Sequence, residues 1–148
     1  MCVENYTRCY QSAIGYLARR EHSRLELINK IRRKPFSEDV DLASLCDDLE
    51  ESNYLSNKRF SEMFVRSRVS RGQGEIKISY ELRQRGVNEE LIESALQEEG
   101  ADWLVLAKQE REKRFGAKKP KDYKERARQS RFLAGRGFSS EVIYLVFG

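Results

Sequence analysis

Lys34, Arg85 and Arg136 stand 51 residues apart, each directly ahead of a residue that turns the chain: Pro35, Gly86 and Gly137. Cations so placed can do two kinds of chemistry. At a helix C-terminus a positive side chain is favoured beside unsatisfied carbonyls by roughly a few tenths of a kcal/mol. Aligned on repeated elements, the same charges form a stripe that can follow phosphates. Both readings stand for these three residues. Catalytic chemistry finds less material. His22 is the sole histidine; it lies beside Ser23, a helix-cap type, with neither a second histidine nor a reactive cysteine environment to build a nucleophilic pair. Cys2, Cys9 and Cys46 are an odd number in no metal-ligand spacing, so neither a disulfide framework nor a zinc site is expected. The RGQG stretch, Arg71 to Gly74, lacks the Gly-Lys-Ser/Thr of a phosphate loop; its glycines free the chain between two helices. The carboxylates fall in surface-like acidic runs rather than in apolar pockets that would tune them. Trp103 in ADWLVLA reads as core, with base stacking as its alternative use. The chain is expected to be no enzyme and to carry no cofactor or metal.

The elements that position these cations are written more than once. LRQRGVNEELIESAL, Leu82 to Leu96, returns 51 residues later as LAGRGFSSEVIYLVF, Leu133 to Phe147, and a degenerate copy opens at Ile31 with IRRKPFSED. Three columns hold: Ile31, Leu82 and Leu133; Phe36, Val87 and Phe138; and the N-cap types Ser37, Asn88 and Ser139. Glycine suits the left-handed position after a helix, proline stops a helix for want of an amide hydrogen, and a capping side chain contributes roughly 1 kcal/mol. Each corner therefore reads as helix, tight turn, helix. Beyond it, Leu91, Ile92, Ala95 and Leu96 match Val142, Ile143, Val146 and Phe147 as one buried face, and Leu42, Leu45 and Leu49 serve the first copy. A further helix precedes each corner, over about 5–21, 56–71 and 101–115. The expected fold is all-α: three tandem three-helix repeats, 1–53, 54–99 and 100–148, stacked into an elongated, curved array because one unit buries too little alone. GAKKPKD, Gly116 to Asp122, is the loop joining the first two helices of the third unit.

Composition agrees. With 148 residues, 39% apolar and 35% charged, only 2 prolines and 9 glycines, the chain is helix-rich and its apolar runs fall far short of a membrane span. A cytoplasmic location is expected. The net charge of +4 hides blocks: residues 1–34 carry net +5, 35–57 net −7, 58–86 net +5, 87–102 net −6 and 103–136 net +8. First and second helices are basic in every unit, and third helices are acidic in units one and two. Solvated, solubilising faces account for such blocks, and so does nucleic-acid contact along the array.

The block Tyr54 to Val87, YLSNKRFSEMFVRSRVSRGQGEIKISYELRQRGV, resembles the signature region of the RecX family, bacterial regulators of the RecA recombinase. Its matching points are Tyr54-Leu55, Arg59-Phe60, Arg66-Ser67-Arg68, Gly72, Gly74, Ile78, Glu81-Leu82 and Gly86-Val87. YLARREHSRLEL (16–27) is similar to the family's first unit, and DWLVLA (102–107) with RFLAGRGFSSEVI (131–143) to its third. Glu75 departs from the pattern, standing where the family usually has proline, and Ser56-Asn57 replaces a more acidic pair.

The resemblance implies three three-helix units and a non-enzymatic protein that binds RecA and its filament on single-stranded DNA. It further implies an array lying in the filament groove, inhibiting ATP hydrolysis, strand exchange and co-protease activity. On that view basic helices face DNA or acidic filament surface and acidic helices face basic RecA surface, which speeds encounter and fixes orientation. The residues expected to touch a partner or nucleic acid are Arg66, Arg68, Arg71, Lys77, Arg83 and Arg85 of unit two with Arg126, Arg128 and Arg131 of unit three. A monomer is expected, with weak direct DNA contact allowed and no membrane. The rival function is a stand-alone helical nucleic-acid-binding module acting through the basic helices.

Overall fold

A computed structural model describes residues 3–148, so Cys2 lies outside the described residues. Among these residues the chain forms α1 (Val3–Arg19), α2 (Arg24–Arg32), α3 (Leu42–Glu51), α4 (Asn57–Ser70), α5 (Glu75–Gln84), α6 (Glu89–Glu99), α7 (Trp103–Phe115), α8 (Tyr123–Gly135) and α9 (Ser140–Phe147), with no strand. A single 3-10 turn, Pro35–Ser37, follows α2.

The two intact corners are built alike. Gly86 (φ 78°) and Gly137 (φ 95°) take the left-handed conformation that closes α5 and α8. The amide of Val87 donates to Leu82 O at 3.1 Å and that of Gly86 to Arg83 O at 3.0 Å; Phe138 to Leu133 O (3.2 Å) and Gly137 to Ala134 O (3.0 Å) repeat the pair. The apolar columns Leu82–Val87 and Leu133–Phe138 are thus the two ends of a left-handed helix stop, which favours a hydrophobic contact there. Asn88 and Ser139 then cap α6 and α9 by accepting the amides of Leu91 and Val142.

The first corner departs from this pattern, and Ser37 is not an N-cap. Pro35 cannot take a positive φ and has no amide to give, so the left-handed stop cannot form. The chain instead runs into the 3-10 turn, and the Ser37 hydroxyl bonds back to Lys34 O at 2.7 Å and Arg32 O at 3.2 Å. The third helix waits until Asp41, whose carboxylate accepts the Ser44 amide.

Three apolar clusters hold the array together. The first gathers Cys9, Ala13, Leu27, Ile31, Leu45, Cys46 and Leu49, and reaches past residue 53 to bury Leu55. The second is built on Phe60, Phe64, Val65, Ile78, Leu82 and Ile92, and the smaller third on Ala107, Leu133 and Phe138. Trp103 is half-buried and packs against both the second and the third, so it is a shared core residue. All helix pairs in extensive contact lie within one unit, α1–α3, α4–α6 or α7–α9. The accessible surface of 9248 Å² exceeds the roughly 7,900 Å² expected for a compact monomer of 17.4 kDa, which fits an elongated stack. No helix among the described residues is long and apolar enough to cross a membrane.

The corners also join the units. α5 opens on Gly74, which has no capping side chain. The Gly74 and Ile76 amides donate instead to Arg136 O (2.8 Å) and Gly137 O (2.9 Å) of the next unit's corner. In return Glu75 Oε1 accepts the Ser139 amide at 2.9 Å, so the carboxylate that usually sits within a capping box comes from a different unit. Between units one and two the Arg24 amide donates to Asn57 Oδ1 (2.8 Å), Arg59 pairs with Glu21 (2.7 Å) and Arg85 with Glu26 (3.5 Å), while Gly86 lies against Leu25. Both joints bring the N-terminus of a second helix onto the following corner.

Candidate partner-binding surface

Phe64 of α4 organises the basic residues of unit two. The Arg68 guanidinium lies 4.4 Å from its ring centroid and that of Arg85 4.8 Å. Arg68 pairs with Glu81 at 3.4 Å, and Arg85 reaches both Glu81 (4.0 Å) and Glu26 (3.5 Å). Glu26 is engaged three ways, since its Oε1 also accepts the Ser23 amide and pairs with Arg20. Arg20 and Arg71 complete the lining of this cleft between units one and two. Four guanidiniums meet two carboxylates here, which leaves a positive excess.

The nine cations singled out in the sequence divide by commitment. Arg66, Arg71, Lys77 and Arg131 are exposed and make no ion pair or ring contact, so their charge is free. Arg83 pairs with Glu89, which holds the guanidinium above and the carboxyl below their ordinary ranges. Arg128 pairs with Glu125 at 2.8 Å and lies 5.0 Å from the Phe115 ring; Arg126 is half-buried, 5.4 Å from the Phe147 ring. Arg68, Arg71 and Arg85 come together at the cleft. Arg66 does not, for it faces Glu62, Glu98 and Glu99 elsewhere on the molecule. Lys34, Arg85 and Arg136 are not equivalent either. Arg85 and Arg136 end their helices and pair with carboxylates, Arg136 with Glu110 at 3.8 Å, whereas Lys34 precedes the 3-10 turn.

Sequence reasoning missed three features. Arg20 is one, because nothing in linear spacing brings it to Arg68. On α5, Ile76 and Tyr80 are 56% and 58% exposed, one turn apart and off the Ile78–Leu82 stripe that faces the core. Their spacing is the available signal: with Lys77 and Arg83 they give α5 an outward face of mixed apolar and cationic groups, of which Tyr80 and Arg83 are the types enriched at protein interfaces. Arg111 is the third, a buried arginine in the middle of a basic helix.

The remaining candidates are structural in their surroundings. His22 is 1% exposed; its Nδ1 lies 3.1 Å from Arg20 O and its Nε2 2.7 Å from Lys30 Nζ. Cys9 and Cys46 are buried, free thiols, and burial pushes the Cys46 thiol up to about 11. The acidic helices present Asp47, Asp48 and Glu51 on α3 and Glu90, Glu93 and Glu98 on α6 to solvent.

Comparison with known proteins spans nearly the whole chain. Models of RecX's first, second and third three-helix domains match residues 9–40, 56–96 and 102–147. The regulatory protein RecX of Chromohalobacter salexigens is 47% identical over 131 residues, 88% of this chain and 85% of its own. That of Halorhodospira halophila is 44% identical over 132 residues, 89% and 81% of the two chains. The crystal structure of RecX from Lactobacillus salivarius superposes with a TM-score of 0.80 at 21% identity, covering 98% of this chain and 96% of the other, a likeness of fold.

Proposed function

The chain belongs to the RecX family, and from that premise we propose that it is a cytoplasmic, non-enzymatic regulator of the RecA recombinase. It binds RecA and the RecA filament on single-stranded DNA, lies in the filament groove, and inhibits ATP hydrolysis, strand exchange and co-protease activity. The observation that carries this reading is the presence of all three family units in order. The charge layout supports it. Arg66, Arg71, Lys77 and Arg131 reach a partner without surrendering an internal one. Arg68, Arg83, Arg85, Arg126 and Arg128 exchange a carboxylate or ring for a partner group. The outward face of α5 adds Ile76 and Tyr80 as apolar anchors beside Lys77.

RecA's single-stranded-DNA-dependent ATP hydrolysis, with this protein titrated in at physiological salt, tests the proposal. Inhibition near stoichiometric protein supports groove binding, and inhibition well below it supports action at filament ends. A Lys77→Glu, Tyr80→Ala pair, with helicity intact, weakens inhibition by about tenfold or more. No inhibition, together with tight binding to bare DNA that falls by about 10³–10⁵ between ~50 and ~200 mM salt, makes the chain a stand-alone nucleic-acid module.

A further inference from the structure

Arg111 is the one arginine among the described residues that is buried, at 8% exposure, and it has no carboxylate partner. Arginines far more open than this, Arg24, Arg59, Arg68 and Arg85, all pair with Asp or Glu. Arg111 Nη1 donates to Lys118 O at 3.3 Å and Gln129 Oε1 at 3.1 Å, while Nε and Nη2 donate to no protein group. Neutral acceptors offset only part of the cost of burying a guanidinium. Neighbouring Glu110 is no counter-ion, because it pairs with Lys113 and Arg136.

Arg111 lines a pocket of ≈ 490 Å³ bounded by α7, α8, α9 and the 116–122 loop. Lys119 and Arg126 bring two more cations to it, and the one carboxylate present, Asp122, is engaged in capping α8 through the Glu125 amide. The apolar wall is Pro120, Val146 and Phe147, and Tyr123, 85% exposed, stands at the pocket as well. The volume lies in the range of small-molecule sites, and the lining pairs a multivalent anion seat with a surface for a flat body. A guanidinium with two free donor nitrogens holds carboxylate or phosphate through paired hydrogen bonds, and the two further cations favour the more highly charged phosphate.

We propose that this pocket binds a nucleoside phosphate, the phosphate on Arg111, Lys119 and Arg126 and the base against Phe147, Pro120 and Tyr123. The site stands on the geometry of unit three and does not require the recombinase reading, although it shares Arg126 with the partner-facing cations proposed above. Its ligand is either a free nucleotide or the 5′-phosphorylated end of a nucleic-acid strand. Calorimetric titration of the full chain with adenosine monophosphate, inorganic phosphate, and one oligonucleotide with and without a 5′-phosphate tests it. The expected result is saturable binding of the monophosphate or of the phosphorylated strand, and the stronger of the two names the source. Lys119→Glu, on an exposed loop, weakens it by at least about tenfold at unchanged melting temperature, and Val146→Trp, which fills the pocket, weakens it as much with helicity intact. Three results overturn the proposal: no binding of the monophosphate together with equal binding of the strand with and without its 5′-phosphate, equal binding of inorganic phosphate and the monophosphate, or affinity unchanged in both variants.

Discussion

His22 shows how a residue type that suggests chemistry is spent on structure. The neutral imidazole fits its surroundings in one tautomer, with Nδ1–H donating to Arg20 O and Nε2 accepting from the Lys30 ammonium. Burial lowers its affinity for a proton below the ordinary value, and the charges of Arg20 and Lys30 add to this. Protonation would set two cations 2.7 Å apart. Because the folded value is depressed, the stability from neutral His22 is complete above the unfolded value of about 6.5 and is lost as pH falls through the folded one. Urea midpoints measured from about pH 7.5 down to about pH 5 should fall for the wild-type chain and fall less for His22→Gln. Equal slopes would show that His22 is not the group responsible.

At the scale of elements, the corner is where small residues matter most. A Cβ on Gly74 would lie 2.5 Å from the backbone of Gly137 and Phe138, atoms that cannot rotate away. Gly74→Ala should therefore lower stability by about 2–3 kcal/mol, read from chemical denaturation. Gly15, inside α1 with open space around it, is the control: Gly15→Ala should raise stability by roughly 0.5–1 kcal/mol. The contrast explains what the sequence made legible. Leu82, Gly86, Val87 and Asn88 spell a local rule whose hydrogen bonds close within six residues, so the second and third corners could be read directly. Pro35 obeys a different local rule, and the repeat logic carried Ser37 along by analogy when the next true cap was Asp41. The site was harder still. Which cations are free depends on partners far along the chain, as Glu26 is for Arg85, and no spacing announces them.

The whole molecule is a chain of three cores coupled through two unlike joints. The joint between units one and two rests on Arg59–Glu21, Arg85–Glu26 and the Asn57 side chain, partly exposed contacts each contributing about 0.2–1 kcal/mol and weakened by salt. The joint between units two and three rests on main-chain bonds at Gly74, Ile76 and Gly137, joined by the Glu75 carboxylate on the Ser139 amide and by Trp103 packed against both cores. Small-angle scattering should find Arg59→Glu with a larger radius of gyration than wild type at low salt. The charge-swapped pair, Glu21→Arg with Arg59→Glu, should recover it. An unchanged radius in the single variant would show that the ion pair does not hold the joint.

The two joints also differ in what they ask of heredity. A main-chain bond is indifferent to the side chain that hangs from it, so the Gly74–Gly137 seam constrains descent at its two glycines, at Glu75 and at Trp103, and leaves most other neighbours to drift. The other seam is spelled in partners, Arg59 with Glu21 and Arg85 with Glu26, and neither member can change alone without cost. Among descendants of one ancestor the ion-paired seam should therefore mutate in couples, and the main-chain seam should keep its glycines while most of its surroundings wander.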